Sequence, residues 1–207
     1  MPPAHFPLSA IILAGGQSRR MGHDKSLMRV PDTGQTLIEQ TIASARTVAD
    51  DIVISTNDAA RYAWLPYPTV ADVPGAKGPL GGIAAGLGAI AGQYGLVLAC
   101  DLPLLAPAVL RVLVEQLRPE DDAVVPRHAD GECEPLCAIY HVSTLPTLLS
   151  HIQGQQFAVH QVLEAVATHW VDDAMLRAVD PQLQSFSNVN TPDEWRVAWE
   201  NVAHEAG

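Results

Sequence analysis

Short apolar runs alternate with stretches of helical period along most of the chain. Residues 9–14 contain Ala10-Ile11-Ile12-Leu13, a continuous run of the kind buried on both faces of a parallel sheet. Residues 36–48 place Ile38, Ile42 and Ala45 on one helical face, with Thr36 as the cap. Ile52-Val53-Ile54-Ser55 predicts a second strand, and Thr69-Val70-Ala71 a third that ends at Asp72. Leu80 to Gly92 is rich in Gly and Ala and predicts a helix packed closely on the sheet. Gly95 to Cys100 is a continuous apolar strand ending at Asp101, and Pro107 to Leu117 is a helix with proline near its start. Ala123–Pro126 and Leu136–Val142 predict strands joined through a turn at Asp130-Gly131. Residues 143–152 and 157–166 read as helices, and residues 167–171 and 185–189 as strands. Thr191-Pro192-Asp193-Glu194 opens a terminal helix, with Thr191 as cap and acids in the first turn.

This alternation implies an α/β fold with a mostly parallel sheet and helices on both faces. Right-handed crossovers then put the C-terminal ends of the strands on one edge, where such sheets bind ligands. Four polar clusters end the first four strands: Gly15/Gly16, Ser55/Thr56/Asn57, Asp72 and Asp101. They are expected to meet in one cleft. At 207 residues, with no linker or repeat, one domain over residues 1–207 is expected.

Composition narrows the partners. The formal net charge is −11, which argues against broad nucleic-acid or anionic-membrane binding. The chain carries only 12 Lys and Arg, yet Arg19, Arg20, Lys25 and Arg29 stand within one short stretch. That stretch follows the first strand and carries Gly15, Gly16 and Gly22. Glycine N–H donors beside fixed cations suit a polyphosphate. The spacing fits neither the G-x-x-x-x-G-K-[ST] loop nor G-x-G-x-x-G. Three cysteines without a C-x-x-C pair point to reduced thiols in a cytoplasmic protein. No run reaches the ~18 apolar residues of a membrane span. The histidines form no metal-ligand pattern, and none is assigned to catalysis.

Asp101, in Ala99-Cys100-Asp101-Leu102-Pro103, ends a buried strand and is the natural Mg²⁺ ligand. Asn188 and Asn190 lie two apart, so a strand puts both amides on one face.

Leu13-Ala14-Gly15-Gly16-Gln17-Ser18-Arg19-Arg20-Met21-Gly22-His23-Asp24-Lys25 resembles the signature loop of nucleotidyltransferases that make activated sugars and cofactors. The G-G form most resembles the molybdenum cofactor guanylyltransferase family. Three further segments, in order, carry the same resemblance: Asp72 followed by Gly78-Pro79-Leu80-Gly81-Gly82, Cys100-Asp101-Leu102-Pro103, and Asn188-Val189-Asn190-Thr191-Pro192. The resemblance implies a Rossmann-like three-layer α/β/α nucleotidyltransferase fold with a mostly parallel central sheet. It implies transfer of GMP from GTP to molybdenum-molybdopterin with release of pyrophosphate, using Mg²⁺ with Mn²⁺ as a substitute. By the same resemblance, Leu13, Ala14, Gly15, Gly16, Lys25, Ser55, Asp72 and Asp101 bind nucleotide. Arg20, Lys25 and Asp101 serve catalysis, with Asp101 on the metal. Gly78, Pro79, Leu80, Gly82, Asn188 and Asn190 meet the acceptor. Implied protein partners are the molybdenum insertion protein and molybdoenzyme chaperones. The ribose contact stays open between Ser55 and Asn57, and Glu134 stands where the family has Gln or His. Two alternatives remain: a relative using CTP or a sugar-phosphate acceptor, and a catalytically silent nucleotide-binding module, against which the presence of Lys25 and Asp101 speaks.

Overall fold

Along β1 (Leu8–Leu13) side chains alternate between two cores, as a strand buried on both faces requires. Ala10 and Ile12 enter one cluster, and Ile11 enters the other. A computed structural model of the chain describes residues 7–15, 25–31 and 33–187. Within these, β2 (Asp51–Ser55), β3 (Thr69–Val70), β4 (Tyr94–Ala99), β5 (Ala123–Arg127), β6 (Cys137–His141) and β7 (Thr168–Asp172) join β1 in a seven-stranded sheet. The order is β3-β2-β1-β4-β6-β5-β7. Only β6 is reversed: it runs antiparallel to β4 and β5, and the other pairings are parallel.

Helices cover both faces. On one face α1 (Leu37–Ala45) and α3 (Pro107–Gln116) pack Ile38, Ile42, Leu110 and Leu113 against Ile12, Ile54, Leu96 and Leu98. On the other, α2 (Leu80–Ala89), α4 (Leu145–Gln153) and α5 (Val159–Glu164) pack Ile83, Leu87, Leu148 and Val162 against Ile11, Val97 and Tyr140. The result is the expected three-layer α/β/α arrangement. No helix among the described residues is long and apolar enough to cross a membrane.

Thr36 caps α1 as expected, in a reciprocal capping box with Glu39 worth about 1 kcal/mol. That carboxylate bonds Thr36 N and Oγ1, which holds its pKa below the usual value. α1 ends at Ala45 rather than 48, and α2 at Ala89 rather than 92. A short helix α6 (Asp173–Arg177), without a long enough apolar period to announce it, follows β7 directly. The strand expected over 185–189 is corrected over its described part: Gln184–Phe186 is a 3-10 turn. Asp180 accounts for this, because its carboxylate accepts from Gln184 N at 3.1 Å and Ser185 N at 2.8 Å. A side chain thus satisfies amides that a ladder would otherwise pair. The helix expected from Thr191 lies outside the described residues.

Candidate active site

The C-terminal ends of β1, β2, β3 and β4 open onto one cleft of about 690 Å³. Leu13, Ala14, Gly15, Lys25, Ser55, Asp72, Gly78, Pro79, Gly82 and Asp101 all line it. Gly16, Arg19, Arg20, Gly22, Asn188 and Asn190 lie outside the described residues. Leu80 is placed differently from the expectation: its side chain is fully buried in the core. It is the first residue of α2 and faces the sheet, so it anchors the helix and does not line the cleft.

Strand pairing builds the first wall. Ala14 N donates to Ser55 O at 2.9 Å, so the chain leaving β1 is tied to the end of β2. Tyr62, buried at 1% exposure, donates to Ala14 O at 3.1 Å and shares a 2.8 Å hydrogen bond with Ser26 Oγ. One phenol therefore fixes both ends of the glycine-rich loop relative to the 3-10 turn Ala59–Tyr62. Lys25 opens another 3-10 turn, Lys25–Leu27, beside it.

Asp101 follows β4 on the other side of β1. Burial pushes its carboxyl pKa up, and the nearby Lys25 ammonium pulls it back down. Lys25 thus acts on Asp101 within one cleft, although the two are 76 positions apart in sequence. The segment after Asp101 is held by α1: Gln40 Nε2 donates to Pro103 O at 2.8 Å, and Ser44 Oγ to Leu105 O at 3.4 Å.

Asp72, two residues past β3, meets both open candidates at the end of β2. Ser55 Oγ donates to its Oδ1 at 3.3 Å, and Asn57 Nδ2 to its Oδ2 at 2.8 Å. Gly82 allows this approach. A Cβ there would stand 2.7 Å from Ser55 Oγ and 3.2 Å from Asp72 Oδ1. Gly78, at φ +66, supplies the left-handed turn that brings Pro79 and α2 to the cleft.

Asp58 and Arg61 also line the cleft, and neither was singled out in the sequence. Their spacing, acid then base three residues on after a strand end, was the available signal. On the far side of Asp101, Glu134 is not a free stand-in for Gln or His. His128 bonds Glu134 Oε1 through Nε2 and Asp173 Oδ1 through Nδ1, both at 3.0 Å. Burial lowers the His128 pKa, but the two carboxylates outweigh it and the net shift is upward. Burial raises that of Glu134, which also feels Asp101.

An acid after a strand end, a cation in the same cleft and Gly15 just past β1 have the chemistry that suits a phosphorylated ligand. Residues 10–172 match the family described as the MobA-like NTP transferase domain. The chain belongs to this family of nucleotidyltransferases. It is 35% identical over 191 residues to a molybdenum cofactor guanylyltransferase from Desulfosudis oleivorans, covering 92% of this chain and 94% of that one. A molybdenum cofactor guanylyltransferase from Syntrophotalea carbinolica is 31% identical over 192 residues, covering 91% and 90%. The crystal structure of molybdopterin-guanine dinucleotide biosynthesis protein A from Archaeoglobus fulgidus superposes with a TM-score of 0.80 at 28% identity, covering 95% and 99%.

Proposed function

We propose that the chain transfers GMP from GTP to the terminal phosphate of molybdenum-molybdopterin, forming the guanine dinucleotide and releasing pyrophosphate. What carries this reading is the placement of Lys25 and Asp101 in one cleft, each within electrostatic reach of the other. The relatives' names supply the base and the acceptor.

The donor set fits Mg²⁺. Asp101 offers a desolvated carboxylate, and no group of three or more His, Cys, Asp or Glu gathers to hold a metal among the described residues. One carboxylate completed by phosphate oxygens and water is the usual arrangement for this ion. When bound on Asp101, Mg²⁺ neutralises phosphate charge.

The acceptor oxygen attacks the α-phosphorus in line. The new P–O bond forms as the bond to the β-phosphate oxygen breaks, and pyrophosphate leaves with that electron pair. The attacking phosphate is already ionised, so no general base is needed. Repulsion between the two anions and charge on the leaving group are what the site must offset. Lys25 and Arg20 take the α-phosphate and pyrophosphate. Backbone at Leu13, Ala14, Gly15 and Gly16 borders the base, Ser55 or Asn57 contacts the ribose, and Asp72 meets the nucleotide beside them. The acceptor meets Gly78, Pro79 and Gly82 with Asn188 and Asn190. On this reading residues 1–120 form the nucleotide half and 121–207 the acceptor half.

The test follows label from α-labelled GTP into molybdopterin, with Mg²⁺ present and after chelation. Metal-dependent label in the dinucleotide is expected. Labelled product from CTP but not GTP would overturn the choice of base, and failure of molybdopterin to accept label would overturn the acceptor.

A further inference from the structure

The ring of Tyr62 lies in the hydrophobic core at 1% exposure, yet its oxygen reaches two residues that line the cleft. It lies 3.1 Å from Ala14 O and 2.8 Å from Ser26 Oγ. A carbonyl only accepts, and a phenol carries one proton. Both bonds therefore form together only when Ser26 donates to Tyr62 and Tyr62 donates to Ala14. That chain runs in one direction and joins the residue after β1 to the residue after Lys25. Both of its side chains are buried, so water does not readily replace a lost bond.

Lys25 is held from two sides. Met28 N donates to Lys25 O at 2.9 Å and Leu37 N to Met28 O at 3.0 Å, which seats the turn Lys25–Leu27 on α1. Ser26, next along, seats the same turn on Tyr62. Tyr62 is fixed as well: Leu65 N donates to its carbonyl at 2.9 Å, and its ring packs in the core. Ala14 is fixed by Ser55 O, which accepts from its N–H at 2.9 Å. An ammonium on four methylenes is flexible, so its place in the cleft depends on how firmly its backbone is held. Here it stands near enough to Asp101 to draw that carboxyl pKa down against burial.

We propose that Tyr62 is a positioning residue for the transfer: acting through Ser26, its phenol sets where the Lys25 ammonium stands relative to Asp101. This rests on the reading that Lys25 takes the α-phosphate and pyrophosphate. Tyr62 does not itself line the cleft, so its effect on the phosphates passes through Lys25. The same oxygen holds Ala14, so the cation is referenced to the end of β1 and, through Ser55, to the end of β2. β1 also pairs with β4, which Asp101 follows. One sheet edge thereby places both the carboxylate and the cation that works with it.

The test is a double-mutant cycle on the full chain, with Tyr62→Phe, Lys25→Ala and the two combined. Calorimetric binding of Mg²⁺-pyrophosphate and single-turnover transfer to molybdopterin are both read. Tyr62→Phe keeps the buried ring and removes the hydroxyl. A misplacement of about 1 Å can cost 10²-fold, so loss of this anchor should weaken pyrophosphate binding and slow transfer by about tenfold. In the Lys25→Ala background the same substitution should change neither quantity, because no ammonium remains to be placed. Ser26→Ala, which removes the donor to the phenol, should match Tyr62→Phe. An equal loss from Tyr62→Phe in both backgrounds overturns the proposal, as does a Tyr62→Phe protein with unchanged pyrophosphate affinity and transfer. Full pyrophosphate affinity in Lys25→Ala overturns the phosphate role of Lys25 and this proposal with it. Coupling of Tyr62 to Lys25 in pyrophosphate binding without transfer to molybdopterin supports the positioning role and overturns the acceptor assignment alone.

Discussion

Asn57 and Asp72 clasp each other across the ends of β2 and β3. The Asn57 amide donates to Asp72 Oδ2 at 2.8 Å, and Asp72 N donates back to Asn57 Oδ1 at 3.0 Å. The second bond fixes the backbone that carries the carboxylate, so Asp72 is oriented from two sides. Asn57→Ala is expected to cost about 1 kcal/mol in urea denaturation, since the pair is solvent-exposed. It should also weaken Mg²⁺-GTP binding about tenfold through the loosened carboxylate. Unchanged affinity with the stability loss intact would show that Asp72 does not touch the nucleotide.

Lys25 and Asp101 line the same cleft, and their roles should separate kinetically. Lys25→Ala removes a cation aimed at charge that develops as pyrophosphate leaves, which costs on the order of 10²-fold in single-turnover transfer. GTP affinity should fall far less. Asp101→Ala should lose transfer to a similar degree and should also stop responding to added Mg²⁺ or Mn²⁺. Rapid-quench measurement at saturating GTP distinguishes the two. Near-normal transfer by Lys25→Ala would remove it from the mechanism.

The pair of carboxylates around His128 makes stability depend on pH. The folded pKa of His128 is raised, because the bonds from Glu134 and Asp173 outweigh burial. Its stabilisation is therefore complete below the unfolded value of about 6.5 and is lost as pH rises through the folded one. Glu134 is also raised, by burial, so its ionisation costs stability in a lower window that opens near its unfolded value of about 4.3. Asp173 is lowered by His128 and Arg177, and its contribution is present above about 3.9. The stability difference between the unaltered protein and His128→Gln should thus be larger at pH 6 than at pH 9, read by urea denaturation. A constant difference would mean that the three side chains do not share charge as their geometry implies.

The parts of this site legible in the sequence are those attached to strand ends. Gly15, Ser55, Asp72 and Asp101 follow apolar runs, and a parallel sheet brings such ends to one edge whatever the intervening helices do. Gly82 was legible as a small residue, though its closeness to Ser55 and Asp72 was not. Short turns were harder to read. The 3-10 turn Ala59–Tyr62 has too few residues for a period, and the burial of Tyr62 depends on Ala14 and Ser26, far away in sequence. His128, Glu134 and Asp173 meet only because β5 pairs with β7, which brings α6 beside the end of β5. Nothing local marks that contact, and the reversal of β6 is equally invisible in a run of apolar residues.

Two glycines in the cleft should respond oppositely to an added methyl. At Gly15 the nearest atom to a new Cβ among the described residues is Ser55 O, at 4.0 Å, and the residue is exposed. Gly15→Ala should therefore fold with unchanged thermal stability and act only on what enters the cleft, weakening use of GTP relative to CTP. At Gly82 the same methyl would press on Ser55 Oγ, Leu13 Cδ2 and Asp72 Oδ1. Gly82→Ala should lose about 1–3 kcal/mol by overpacking and displace the side chains beside it, weakening every nucleotide together. Thermal melting paired with GTP and CTP titrations reads both variants at once. A Gly15→Ala protein with intact stability and intact GTP-over-CTP selectivity would remove the loop backbone from base discrimination.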